Sequence, residues 1–169
     1  VLAFALRTAG NPKGDRSVRD EMFGVVEGIG GLEAREGLIR IIQTDKEELV
    51  RYRAFESLLA VAKHEGVVPG LEAFPASAPY KKIDVEDLLV KLIEKLGAPV
   101  RPVLVKALES KYPLARMTAV LSLESVGKAA DAPALDKASK DTATIKGFPT
   151  GATVGKEAAR VAGIVRSKS

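Results

Sequence analysis

The chain has no cysteine, no tryptophan, a single histidine and only 5% aromatic residues. Without Cys there can be no disulfide, no thiolate nucleophile and no Cys-ligated zinc. One histidine, His64, excludes a cluster of imidazoles around a transition metal. Long apolar runs are missing too. The opening VLAFAL is too short to span a bilayer, so no membrane span is predicted. No alternating strand pattern of useful length occurs. The absence of Cys leaves the compartment open.

What is present is aliphatic. Apolar residues make up 46% of the 169 and charged residues 28%, the proportions of a single globular domain. With so few aromatics the core must come from Leu, Val, Ile and Ala, which favours helices packed closely through small side chains. The net charge of +4 is uneven. Residues 1–100 carry 14 Lys and Arg against 16 Asp and Glu, while residues 101–169 carry 12 against 6. An acidic partner is therefore expected on the C-terminal portion.

The sequence repeats. Arg116, Ala119, Leu123 and Gly127 define a template that Arg51, Ala54, Leu58 and Ala62 match at the same spacing. Arg19, Met22, Val26 and Gly30 match it again. Glu86, Leu89, Ile93 and Gly97 form a copy without the arginine, and Gly155, Ala158, Ala162 and Val165 a weaker one. The copies start 32, 35, 30 and 39 residues apart. Proline recurs at a similar offset in Pro69-Gly70-Leu71, Pro102-Val103-Leu104 and Pro133-Ala134-Leu135.

Each repeat reads as helix, tight turn, helix. Val85, Leu88, Leu89, Leu92, Ile93 and Leu96 recur at three- and four-residue steps, the period of a helix with one apolar face. Gly30, Gly97 and Gly127 fall where a helix can end in a left-handed residue. Proline then opens the second helix, where its missing N–H would have no partner anyway. Ser17 with Asp20, and Asp84 with Asp87, are predicted helix starts. Ala119, Val120, Leu121, Leu123 and Val126 make one first helix apolar on several sides, so neighbours must cover both its flanks.

The stretches LARMTAVLSLESVGKAADAPALDKASKD and LVRYRAFESLLAVAKHEGVVPGLEAF resemble the short bacterial form of the HEAT repeat, with Asp45 and Asp141 at the closing position. The resemblance covers about residues 1–166 and implies an all-α solenoid of stacked antiparallel helix pairs in one domain, 1–169. An extended concave face with no constellation of acid, base or metal ligands reads as a binding or scaffolding module without catalysis, metal or cofactor. VLAFALRT resembles the second helix of a preceding repeat, and 153–166 the first helix of a following one. The chain is therefore expected to be a segment, or a capped end, of a longer array.

Candidate sites follow from register. Arg40, Lys106 and Lys137 occupy equivalent places on the second helices, with Ala73 as the exception. The resemblance implies that second helices line a concave face, so a cationic row facing an acidic peptide or a phosphate backbone is predicted. The long connections PASAPYKKI (75–83) and TATIKGFPTGAT (142–153) are expected on one edge. There Tyr80 and Phe148, beside Lys81 and Lys82, are candidate exposed anchors for a protein partner. Nucleic acid is the alternative partner, since some HEAT-like proteins, DNA glycosylases among them, bind it. An accessory segment of an enzyme, as in relatives of bilin lyases, is a third. TGATVGKE (150–157) fails as a phosphate loop, for only three residues separate Gly151 from Gly155 and Glu157 replaces the hydroxyl. GVVEGIGG (24–31) has the wrong glycine order for a dinucleotide site. His64 has no nearby nucleophile in sequence, and a solvated turn histidine is expected.

Overall fold

In the computed structural model, which describes residues 1–168, every regular element among the described residues is helical. The chain falls into two compact units, Val1–Pro75 and Ala76–Ser169. The first holds α1 (Leu2–Ala9), α2 (Arg16–Ile29), α3 (Gly31–Thr44), α4 (Glu48–Ala62) and α5 (Val67–Ala73). In the second, Lys82–Asp84, Val85–Val90 and Lys91–Glu94 run on as α6 (82–94), its middle wound as a π-helix. It is followed by α7 (Arg101–Ala107), α8 (Pro113–Val126), α9 (Ala132–Ala138) and α10 (Val154–Arg166). Short 3₁₀ turns, Lys63–Gly66, Ala98–Val100 and Ala129–Asp131, lead into α5, α7 and α9. The five template copies thus lie on α2, α4, α6, α8 and α10, or at their C-terminal edges. Pro69, Pro102 and Pro133 sit in the first turns of α5, α7 and α9.

Within the first unit α2 packs on α1 and α4, and α3 packs on α1, α4 and α5. Phe23, Val26, Leu38, Ile42, Phe55, Leu58 and Leu71 fill its interior. Within the second, α8 packs on α6, α7 and α10, while α9 packs on α10. That arrangement buries α8 on several sides, including Met117, Ala119, Val120, Leu121 and Leu123, as its composition predicts. Each of the larger ones, Met117, Val120, Leu121 and Leu123, contributes about 1.5–3 kcal/mol. The scarce aromatics are not excluded from the core. Phe74 lies tilted 5.6 Å from Tyr52 and edge-on 5.8 Å from Phe55, and Gly70 lets α5 approach the Phe55 ring where a Cβ would lie 2.6 Å from it.

The helix stops refine the predicted turn. Gly30 (φ 64°, ψ −156°) and Gly97 (φ 68°, ψ −158°) take a backbone conformation open almost only to glycine. The same conformation recurs after α4, but at Lys63 (φ 52°, ψ −137°) rather than at Ala62, because α4 runs one residue further than the template. Gly127 differs: it is extended (φ −68°), and its lack of a side chain serves space, since a Cβ would strike the Leu123 carbonyl and sit 3.0 Å from Val165 Cγ1. Lys63→Gly is therefore expected to stabilise the protein by about 1 kcal/mol, strain relief of ~1–3 kcal/mol less a backbone-entropy cost of ~0.5–1 kcal/mol. A urea midpoint that stays put or falls would contradict this.

The predicted caps shift by a few residues. Asp15, not Ser17, caps α2, its carboxylate accepting from Ser17 N (2.9 Å) and Val18 N (3.3 Å). α6 begins at Lys82, which places Asp84 and Asp87 inside the helix, Asp87 paired with Lys91.

The template arginines tie helix to loop. Arg19 is buried; its Nε donates to Ala9 O, and its two terminal nitrogens donate to Asp45 and Glu47, all at 2.8 Å. Arg51 donates to the Asp45 and Lys46 carbonyls. Arg116 donates to Asp141 at 2.6 Å and to Ser110 O at 2.7 Å. Burial pushes the Asp141 carboxyl up, but Arg116 and the Ala143 N–H outweigh burial and hold it below the usual carboxylate range. The Asp at the closing position is thus the partner of the Arg that opens the repeat, at Arg19–Asp45 and Arg116–Asp141. Other pairs reach one repeat further. Arg35–Glu65, Arg101–Asp131 and Arg166–Asp136 each join residues 30 apart.

Candidate functional site

α7 and α9 are short, each begins with a proline-bearing turn, and each packs against the long helix that follows it. Between them, inside the second unit, lies an open groove of about 690 Å³. This is within the ~300–1,000 Å³ typical of ligand sites. Pro102, Val105, Leu108, Ala134 and Ala138 make its apolar floor. Lys106 and Glu109 line it from the α7 side, and Lys137, Lys140 and Asp141 from the α9 side.

The charges on this rim are not equivalent. Lys137 Nζ is 2.7 Å from Glu109 Oε1, with both side chains largely exposed, at 77% and 68%. Their hydrogen bond raises the Lys137 pKa and lowers that of Glu109. Asp141 already holds Arg116. Lys106 and Lys140 are exposed and have no carboxylate partner among the described residues. The free charge of the groove is therefore positive.

Two of the three row cations, Lys106 and Lys137, thus meet across one groove. Arg40 lies in the other compact unit, exposed on α3. Register reasoning missed Lys140 and Glu109, although the signal was there: Lys140 follows Lys137 by the same three residues as Glu109 follows Lys106. It looked for cations only and passed over the acid.

The loop edge needs correction. The two long connections do meet, for Tyr80 N donates to Lys146 O at 2.7 Å and Lys146 Nζ donates to Ser77 O at 3.0 Å. Yet Tyr80 is only 1% exposed, where an exposed anchor was expected. The backbone of its loop is pressed onto Gly147, whose φ of 92° and missing Cβ admit the Tyr80 main chain. Phe148 is half-buried, its N–H bonded to Ile145 O. Lys82 is paired with Glu157 at 3.3 Å and Glu86 at 3.6 Å, leaving Lys81 exposed.

The failed phosphate loop is explained by its hydrogen bonds. At the start of α10, Val154 N donates to Ala143 O, Gly155 N to Asp141 O, Lys156 N to Thr153 Oγ1 and Glu157 N to Thr153 O. Lys156 Nζ donates to Gly151 O. The four N–H groups of residues 154–157 are therefore occupied and do not wrap an anion. His64 sits half-exposed in the 3₁₀ turn before α5. Among the described residues no three acidic or imidazole groups converge as a metal site, and no helix is long and apolar enough to cross a membrane.

No family model matches this chain, and comparison with curated proteins and with solved structures finds no significant similarity.

Proposed function

We propose that this chain is a HEAT-like stack of helix pairs acting as a non-catalytic protein-binding module, with the α7–α9 groove as its recognition surface. The helices at the repeat period, the opening Arg bonded to the closing Asp, and the pairs 30 residues apart all support the stacked arrangement. The groove carries the functional reading: an apolar floor flanked by Lys106, Lys137 and Lys140 suits a protein segment that offers side chains to the floor and carboxylates to the rim.

Nucleic acid is the second reading, favoured by the 16 Lys and Arg against 10 Asp and Glu of residues 76–169. The distribution of those cations weakens it. Arg101, Arg116, Arg160 and Arg166, all the arginines of that unit, are paired with carboxylates. The forked donors best suited to phosphate are therefore engaged within the fold.

The test is capture from extract of the source cells, with and without nuclease, by wild type and by a Lys106→Glu, Lys137→Glu, Lys140→Glu variant. A protein held through nuclease treatment, and reduced at least about tenfold in the variant, is the expected result. Equal capture by both would remove the groove as the site. Nucleic acid lost with the variant would move the assignment to the second reading. Arg40→Glu, assayed separately, reports whether the first unit contributes.

A further inference from the structure

We propose that the groove takes a carboxylate-bearing protein segment by exchange: Glu109, now bonded to Lys137, is an internal competitor that the incoming carboxylate displaces. This rests on the reading of the groove as a protein-binding surface. Three observations carry it. First, the rim holds three lysines, of which, among the described residues, Lys106 and Lys140 have no carboxylate partner and Lys137 is engaged by Glu109. Second, the engaged one is held by a side chain that is itself solvent-exposed and sits in the turn after α7, its backbone N–H bonded only to Lys106 O. An exposed pair of long side chains contributes little net stability, so opening it is easy. Third, the other acid of the groove does not compete, because Asp141 is fixed on Arg116 and on the Ala143 N–H.

The chemistry of the occupant follows. A carboxylate taking the place of Glu109 on Lys137 leaves Lys106 and Lys140, which line the same groove, for a second carboxylate. The apolar lining of Pro102, Val105, Leu108, Ala134 and Ala138 is aliphatic, which suits Leu or Val next to the acids. The exchange conserves charge: one ion pair opens, one forms, and Glu109 turns to solvent. Its effect is selectivity, since a ligand must offer Lys137 a better partner than the one already present, and a neutral or basic segment cannot.

The experiment is an array of short labelled peptides in which glutamates are walked past leucine or valine, each with a lysine-for-glutamate copy, titrated against the full chain. Wild type should bind acidic members in preference to their copies, and Lys106→Glu with Lys140→Glu should weaken the tightest at least about tenfold. Glu109→Gln should tighten it roughly two- to fivefold. Asp136→Asn is the control, since it removes the same charge from α9 at a residue paired with Arg166 and outside the groove; it should leave affinity unchanged. Lysine-dependent binding that Glu109→Gln fails to tighten, or that Asp136→Asn tightens equally, overturns the exchange and leaves the groove reading standing. No preference for acidic members overturns the acidic occupant itself. Circular dichroism of each variant, matching wild type, excludes misfolding as the cause.

Discussion

Arg19→Met is expected to lower stability by about 3–5 kcal/mol, the cost of stranding a buried charge. In the native protein the Arg19 and Asp45 side chains are only 5% and 3% exposed. The substitution keeps the apolar stem but removes every donor that Ala9 O and the Asp45 carboxylate had from it, leaving Asp45 with the Glu47 N–H alone. Chemical denaturation measures the loss. The signature is in the second variant: Asp45→Asn added to Arg19→Met should recover a large part of it, because the stranded charge is gone. A double variant no more stable than the single would mean that the guanidinium acts through its carbonyl bond to α1 instead.

Gly155→Ala is expected to cost about 3 kcal/mol, the upper end for overpacking. A Cβ there would strike the Ser139 carbonyl oxygen and lie 2.5 Å from that of Asp141, both backbone atoms that cannot swing aside. The same segment supplies the carbonyl that accepts from Gly155 N and the carboxylate that holds Arg116. α10 would have to move away from residues 139–141. The comparison lies in the same helix: Gly163 has nothing within 4 Å of its Cβ position. Gly163→Ala should therefore stabilise by about 0.5–1 kcal/mol through helix propensity alone. Thermal midpoints moving in the same direction for the two substitutions would refute the packing account.

These two residues show where reading the chain stopped. Helix positions were legible because apolar spacing, glycine and proline act locally, and α2 through α10 fall where that spacing puts them. Arg19 and Asp45 were each visible as repeat positions, but their bond spans 26 residues and exists only once α2 and the α3–α4 turn are side by side. Gly155 was legible as a repeat position in a failed phosphate loop, but not as a packing residue, because the 139–141 backbone that presses on it lies about 15 residues earlier. Tyr80 looked exposed because an aromatic beside two lysines has the composition of a surface anchor; its burial depends on how the fold packs its loop, whose backbone lies against Gly147, 67 residues on. At the groove, Lys106 and Lys137 were found from register, whereas Glu109 became visible only as the partner of one of them.

In the second unit every arginine is joined to a carboxylate within the fold. Some lysines are paired too, among them Lys82, Lys91 and Lys137, but Lys81, Lys106 and Lys140 are exposed and have no carboxylate partner among the described residues. Acylation reacts with amines and spares guanidinium groups. Acetyl transfer to the groove lysines would thus erase its positive potential while leaving Arg101, Arg116, Arg160 and Arg166 in place. On the proposed reading of the groove, a reversible covalent mark on its lysines releases the bound segment and leaves the fold's own ion pairs intact.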